Sequence, residues 1–459
     1  MADVPEVPLA LVTNGYFETK AASVRQKQIL WEGYKQSKVL SVDQVELIKA
    51  IDKKPHEIIN STFQSNGKVY ASLILHALKN IARPDTVQYV CVLSDDILTG
   101  RCIRQVIYRV SNTFLADNEN SRFFYEAVDG DSVTLFAPFV KALQSDDEFT
   151  ALQASKILTI LACAAPAPSK VDLSDLYRWI TLQLNQHRPE IVDLIVQELE
   201  SILRVRQYRI AFWETPNAMK ELIRRADKAT ATPQMLYQVI FCLWLLTFEP
   251  KIAAEINEKY DIIPLLVDIA KAAVKEKVIR VAIATLKNLV AKAPAQNLAA
   301  MLVVKLLPFT ENLSGRKWSD ADILEDVNYL KEKLQENFQS LTTFEQYASE
   351  IETGKLEWSP PHKSEVFWKE NASKLDENNY SLLRALARIL STASSPLVLA
   401  VAANDVGQYI KYSSKAGKRI LQDVGAKQRI MELMTHEDQE VRYQALSAVQ
   451  KYMHQAWEF

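Results

Sequence analysis

Val441, Ala445, Ala448, Val449 and Tyr452 fall at i, i+4, i+7, i+8 and i+11, so on an α-helix they share one apolar stripe. A helix striped in this way is stable only against a partner. The two segments before it, Lys418 to Val424 and Lys427 to Met434, meet at Gly425, a residue suited to the left-handed position just past a helix end. The step His436-Glu437-Asp438 then leads into the striped helix, with acids at the end that carries the positive dipole. This arrangement predicts one unit of a helical solenoid.

The stripe recurs upstream. Tyr70, Ile74, Ala77, Leu78 and Ile81 fit it, as do Thr150, Ala154, Ile157, Leu158 and Leu161. Leu236, Ile240, Leu243, Trp244 and Thr247 fit again, as do Val278, Ala282, Thr285, Leu286 and Leu289. Ile195, Leu199, Ile202 and Leu203 fit, and Arg206 breaks only the last place. From Thr150 the starts fall at 195, 236 and 278, steps within the range of about 40 to 47 residues found in armadillo and HEAT repeats. Ile263-Pro264-Leu265-Leu266 before Val278 is armadillo-like as well. With only 10 glycines in 459 residues, tight-turned strands have little material. The expected fold is all-α, an armadillo/HEAT-like helical-repeat solenoid in two domains joined by a hinge.

The first fifteen or so residues, with Pro5, Pro8 and Gly15, read as an extended tail, and a helix is expected from near Thr19. Ser41 with Gln44 three places on predicts a capping box. An N-terminal solenoid is expected over 1–338, a hinge over 339–357 and a C-terminal armadillo-like domain over 358–459. Gly354 and the pair Pro360-Pro361 mark the hinge, because paired prolines favour a stiff extended connector. Lys331 to Lys355 is expected to cap the first domain, and a cut within 345–357 to leave two folding pieces.

Lys and Arg number 54 against 56 Asp and Glu, a net charge of −2, so no general affinity for nucleic acid or acidic membrane is expected. Cys91, Cys102, Cys163 and Cys242 lack metal-type spacing and lie among apolar residues, which predicts buried reduced thiols. The longest apolar run, Val239 to Leu246, is too short to span a bilayer, and Met1-Ala2-Asp3-Val4-Pro5 opens no signal peptide. A soluble, cytosolic chain is the expectation.

Chemistry is hard to find. Ala416-Gly417-Lys418-Arg419 is not a phosphate loop. His436-Glu437 begins like a zinc helix, but position 440 is Glu. The six histidines are scattered, and no catalytic, cofactor or metal residues are expected. Two stretches suggest binding. Lys411, Lys415, Lys418, Arg419, Lys427 and Arg429 accompany a single acid, Asp423, and form either a solvated face or a patch for an acidic protein surface. Val24, Arg25, Trp31 and Tyr34 either cap the solenoid's end or meet a partner.

Ala21-Ala22, Val24-Arg25, Trp31 and Tyr34 resemble the opening of the H-subunit family of the vacuolar-type proton-translocating ATPase (V-ATPase). The likeness continues in Trp244-Leu245-Leu246 and Lys275-Glu276-Lys277-Val278. It is strongest in Leu356-Glu357-Trp358-Ser359-Pro360, His362-Lys363-Ser364-Glu365, Phe367-Trp368, Asp405-Val406-Gly407 and His436-Glu437-Asp438-Gln439-Glu440-Val441. The resemblance implies a non-catalytic component of the pump's soluble sector. Its N-terminal solenoid would grip the peripheral stalk of the E and G subunits, and its C-terminal domain would reach the cytosolic part of the membrane-sector a subunit. In the detached sector the C-terminal domain would move onto the ATPase head and central rotor and silence hydrolysis. The family's inhibitory loop corresponds here to Ser391-Thr392-Ala393-Ser394-Ser395-Pro396, short and uncharged, so Ser391, Ser394 and Ser395 are candidate contacts and the basic strip is expected to contribute. The rival reading is a generic armadillo adaptor, which lines its groove with Trp/Asn pairs. Asn80 and Asn288 are present, with no Trp at a regular offset.

Overall fold

The computed structural model describes residues 12–99, 119–227, 229–413 and 415–454. Most of the expected tail, and Cys102, lie outside them. Among the described residues every regular element is a helix. The stripes read from the sequence are the buried faces: Ala154, Ile157, Leu158 and Leu161, then Ile195, Leu199 and Ile202, then Ile240 and Leu243, then Ala282, Leu286 and Leu289 are all closed to solvent. Arg206, the misfit, is exposed at the start of the next helix.

These stripes stack in order. The helices Pro84–Thr99, Glu148–Cys163, Pro189–Ile202, Pro233–Leu246 and Glu276–Lys292 each pack on the next. Their starts after the first fall at 148, 189, 233 and 276, the repeat step of the sequence. Partner helices lie against the row, Ser132–Leu143 on Glu148–Cys163 and Ile262–Ala272 on Glu276–Lys292. Ser41 and Gln44 form the expected capping box. The first helix starts earlier than expected, at Gly15 rather than near Thr19, because the Asn14 side chain accepts from the Phe17 amide at 3.1 Å and caps it.

The chain divides into two compact units, 1–331 and 332–459. In the second, Pro396–Tyr412 packs along Gln439–His454. Gly407 permits the approach, since a Cβ there would lie 3.0 Å from the Ala448 Cα. Gly425 takes its left-handed conformation, φ 78°, and the Asp438 carboxylate accepts from the amides of Glu440 and Val441 at 2.9 and 3.1 Å.

The segment expected as hinge is built differently. The helix Ala321–Thr353 runs through most of 339–357, and Tyr347, Ile351 and Leu356 belong to the core of the second unit. The Tyr347 ring lies 5.2 Å from Phe367 and 5.4 Å from Trp368. Of the segment Lys331 to Lys355, expected to cap the first domain, the part from Phe344 onward packs instead in the second core. The proline pair does not extend the chain either. Pro360 and Pro361 open the short helix Pro360–Lys363, where a missing N–H costs nothing.

A cut within 345–357 is accordingly expected to damage the second unit. A chain of 332–459 should melt cooperatively. A chain of 358–459 loses three core side chains, each worth roughly 2–5 kcal/mol by analogy with large-to-small core substitutions, and should show no cooperative melt by circular dichroism. Equal melting of the two pieces would return the boundary to 358.

Candidate interaction surfaces

Arg25, Trp31 and Tyr34 come together, but on an internal structure. The Arg25 guanidinium grips Asp96 through two hydrogen bonds of 2.8 and 2.7 Å. The Trp31 indole donates to Asp52 at 3.0 Å and is 4% exposed. The Tyr34 hydroxyl meets the Thr86 hydroxyl at 2.8 Å. Upstream, the Thr13 amide donates to Gln197 at 3.0 Å and Asn14 to the Glu190 carbonyl at 2.7 Å. Phe17 packs on Phe149 at 5.4 Å between ring centroids. Residues 12–25 thus form a strap across Pro84–Thr99, Glu148–Cys163 and Pro189–Ile202. Of the three candidates, Trp31 presents almost nothing to a partner, and half-buried Tyr34 presents an edge.

Charged groups lie in the row beside the strap. Lys156 and Asp95, both buried, pair at 2.8 Å, and the Lys156 ammonium stands 5.0 Å over the Phe17 ring. Glu198 accepts from the Ser155 hydroxyl. Burial pushes its carboxyl up to about 8, with the Ser155 bond and Lys156 opposing. Burial likewise pushes the thiols of Cys91 and Cys163 up to about 12.

The members of the basic strip have different surroundings. Lys411 is tied to Glu365, which also accepts from the Tyr412 hydroxyl. Arg429 pairs with Glu432 at 3.0 Å, and the Lys427 ammonium stands 5.8 Å over the Tyr452 ring. Lys415 opens the helix Lys415–Asp423 and its side chain lies outside the described residues. Lys418 is half-buried and Arg419 exposed. The expected loop is shorter still than its sequence. Ser391 and Thr392 finish the helix Glu377–Thr392, their hydroxyls bonded to the carbonyls of Ala387 and Arg388 at 3.0 and 2.9 Å. Only Ala393, Ser394 and Ser395 separate it from Pro396–Tyr412, and both serines are exposed.

A cluster that the sequence does not single out dominates the electrostatics of the second unit. His362, closed to solvent, meets Asp405 at 2.7 Å through Nδ1 and Glu350 at 2.8 Å through Nε2. Asn404 donates to the His362 carbonyl at 2.9 Å, and the Tyr347 ring is 5.3 Å away. Burial alone would lower the imidazole's pKa. The two carboxylates outweigh it and hold it above the ordinary histidine value. Burial also raises Asp405, against the attraction of His362. Each ring nitrogen has a carboxylate oxygen to donate to, which favours the charged imidazolium. Among the described residues no group of three or more His, Cys, Asp or Glu side chains is arranged to hold a metal, and no helix is long and apolar enough to cross a membrane.

Such a chain is an all-α helical-repeat solenoid in two units. A crystal structure of an engineered protein shares the fold, with a TM-score of 0.50 at 14% identity over 96% of this chain and 99% of that one. Two family models, both described as the H subunit of the V-ATPase, match residues 15–334 and 340–457. The V-type proton ATPase H subunit of Drosophila melanogaster is 35% identical over 99% of this chain and 94% of its own length. A probable V-type proton ATPase H subunit of Oryza sativa is 31% identical over 95% and 96%, and that of Dictyostelium discoideum is 29% identical over 96% and 95%. The chain belongs to the V-type proton ATPase H-subunit family.

The His362 cluster makes stability depend on pH with a definite sign. A group whose pKa is raised on folding contributes stability that is complete below its unfolded value, about 6.5, and is lost as pH rises through the folded value. The melting temperature of the full chain should fall with rising pH above about 6.5, and His362→Gln should flatten that component of the fall while lowering the temperature at pH 6. An unchanged pH profile in the variant would show that the ring is neutral in the fold.

Proposed function

We propose that this chain is a non-catalytic regulatory component of the soluble sector of a vacuolar proton-pumping ATPase, acting on the cytosolic face of vacuolar and other endomembranes. Its first unit grips the peripheral stalk of the E and G subunits, and its second reaches the cytosolic part of the a subunit. Hydrolysis is thereby kept coupled to proton transport. In the detached sector the second unit turns onto the ATPase head and central rotor and stops futile hydrolysis.

The observation that carries this reading is the family match over both units, residues 15–334 and 340–457. A stack of helices supports it, because solenoids offer long surfaces to partners. The sequence also has no Gly-x-x-x-x-Gly-Lys-Ser/Thr cradle for phosphates. A turning unit needs two positions, each held by contacts that the other lacks. The pivot proposed here is the stretch from Glu332 to Thr343, upstream of Phe344, Tyr347, Ile351 and Leu356, which pack in the second core. Ser394, Ser395, Lys418 and Arg419 are the proposed contacts in the detached state. Arg25 acts indirectly, by holding the strap, and Trp31 by tying the helix it opens to Asp52.

Adding the full chain to a detached sector purified without it should suppress ATP hydrolysis. A chain of 1–331 should still bind the stalk, leave hydrolysis running and fail to restore proton pumping in reconstituted vesicles. Full suppression by 1–331 would contradict the division of labour, and failure of the full chain to copurify with the E and G subunits would remove the bridging role.

A further inference from the structure

Among the described residues most arginines are engaged. In the first unit Arg25, Arg188, Arg209 and Arg280 each hold carboxylates. In the second, Arg429 pairs with Glu432, and Arg442 donates to the carbonyls of His436 and Glu437 at 2.7 Å. Arg384, Arg388 and Arg419 differ. All three are exposed, and among the described residues no carboxylate or aromatic ring holds any of them; Arg384 reaches only the Asn379 carbonyl, at 3.4 Å.

They lie on two helices of the second unit that pack against each other. Arg384 and Arg388, four residues apart, share the outer face of Glu377–Thr392, whose other face buries Leu383, Leu386, Ala387 and Leu390. Ser391 continues that outer stripe towards the exposed Ser394 and Ser395. Lys415–Asp423, which carries Arg419, packs against the same helix. Asp423 is exposed there too, without an ion pair to Arg419.

We propose that Arg384, Arg388 and Arg419 form a docking face for a carboxylate-rich protein surface, which in the detached pump belongs to the ATPase sector. The proposal rests on the silencing role above and names its contact. A guanidinium presents a planar fork that takes a carboxylate through two parallel bonds, and an unengaged fork on an exposed helix face holds that capacity in reserve. The charge is local, because the chain as a whole carries −2. The face replaces the sequence strip as the charged partner of the short loop: Lys411 and Arg429 drop out, and two arginines from a preceding helix enter.

The test compares the full chain with its triple reversal R384E/R388E/R419E and with the charge-keeping R384K/R388K/R419K. Melting temperatures should match, since exposed charges contribute little to stability. The reversal should weaken binding to the detached sector about tenfold or more at low salt, a gap that narrows as salt screens it, and should leave stalk binding unchanged. The lysine variant should fall between. Labelled decaglutamate should bind the native chain and not the reversal. Full suppression of hydrolysis by the reversal would overturn the proposal, as would a reversal that loses only binding to phosphatidylserine vesicles. If the native chain fails to suppress hydrolysis yet binds decaglutamate through these arginines, the silencing role fails and the acidic-partner face stands.

Discussion

Each helix of the row from Pro84–Thr99 to Glu276–Lys292 carries an apolar face that it cannot bury alone, and the stack exists because its neighbours cover that face. The consequence is a structure held by nearest-neighbour contacts, in which order along the chain becomes order in space. Buried polar links then restrict which packing is allowed. Lys156 on one helix meets Asp95 on the preceding one, and Ser155 meets Glu198 on the following one. Such pairs add little net stability, because desolvation offsets their attraction. A slipped register would leave Lys156 buried without its carboxylate, and that penalty selects the native one.

The first unit closes its row with its own beginning. The strap of residues 12–25 binds three consecutive helices by a capped helix, a ring contact and the Arg25–Asp96 fork. The second unit uses a comparable device at its start, where His362 ties the end of Ala321–Thr353 to Pro396–Tyr412. In both places a charged side chain joins segments that are remote in sequence. The proposed division of work, with one unit gripping and the other moving, asks each unit to keep its shape while contacts outside it change. These ties supply that rigidity.

The periodic parts of the fold are legible in the sequence, down to Gly425, the Ser41–Gln44 capping box and the acids before Gln439. What is not legible depends on pairing at a distance. Trp31 and Arg25 stand out, but their partners Asp52 and Asp96 lie 21 and 71 residues away, so an internal tie looks like a surface. Lys411 stands in a basic run and is held by Glu365, 46 residues earlier. The proline pair after Trp358 resembles a linker because a single sequence does not reveal that Tyr347 and Ile351 on the near side belong to the core beyond it. His362 and Asp405 carry part of the family resemblance. Together with Trp368, Gly407 and Val441 they are core residues, so the resemblance rests mainly on what holds the second unit together.

The C-terminal end of the helix Ala321–Thr353 is part of the second core and is fixed there by His362, and on this the division into units depends. Native-state hydrogen exchange on the full chain tests it most directly. Amides of 346–353 should open in one cooperative step with those of 383–390 and 399–410, and His362→Gln should lower the protection of all three segments while leaving that of 278–290 unchanged. If 346–353 instead opens with 278–290, or keeps its protection in the variant, the helix end belongs to the first unit and His362 is not what fixes it.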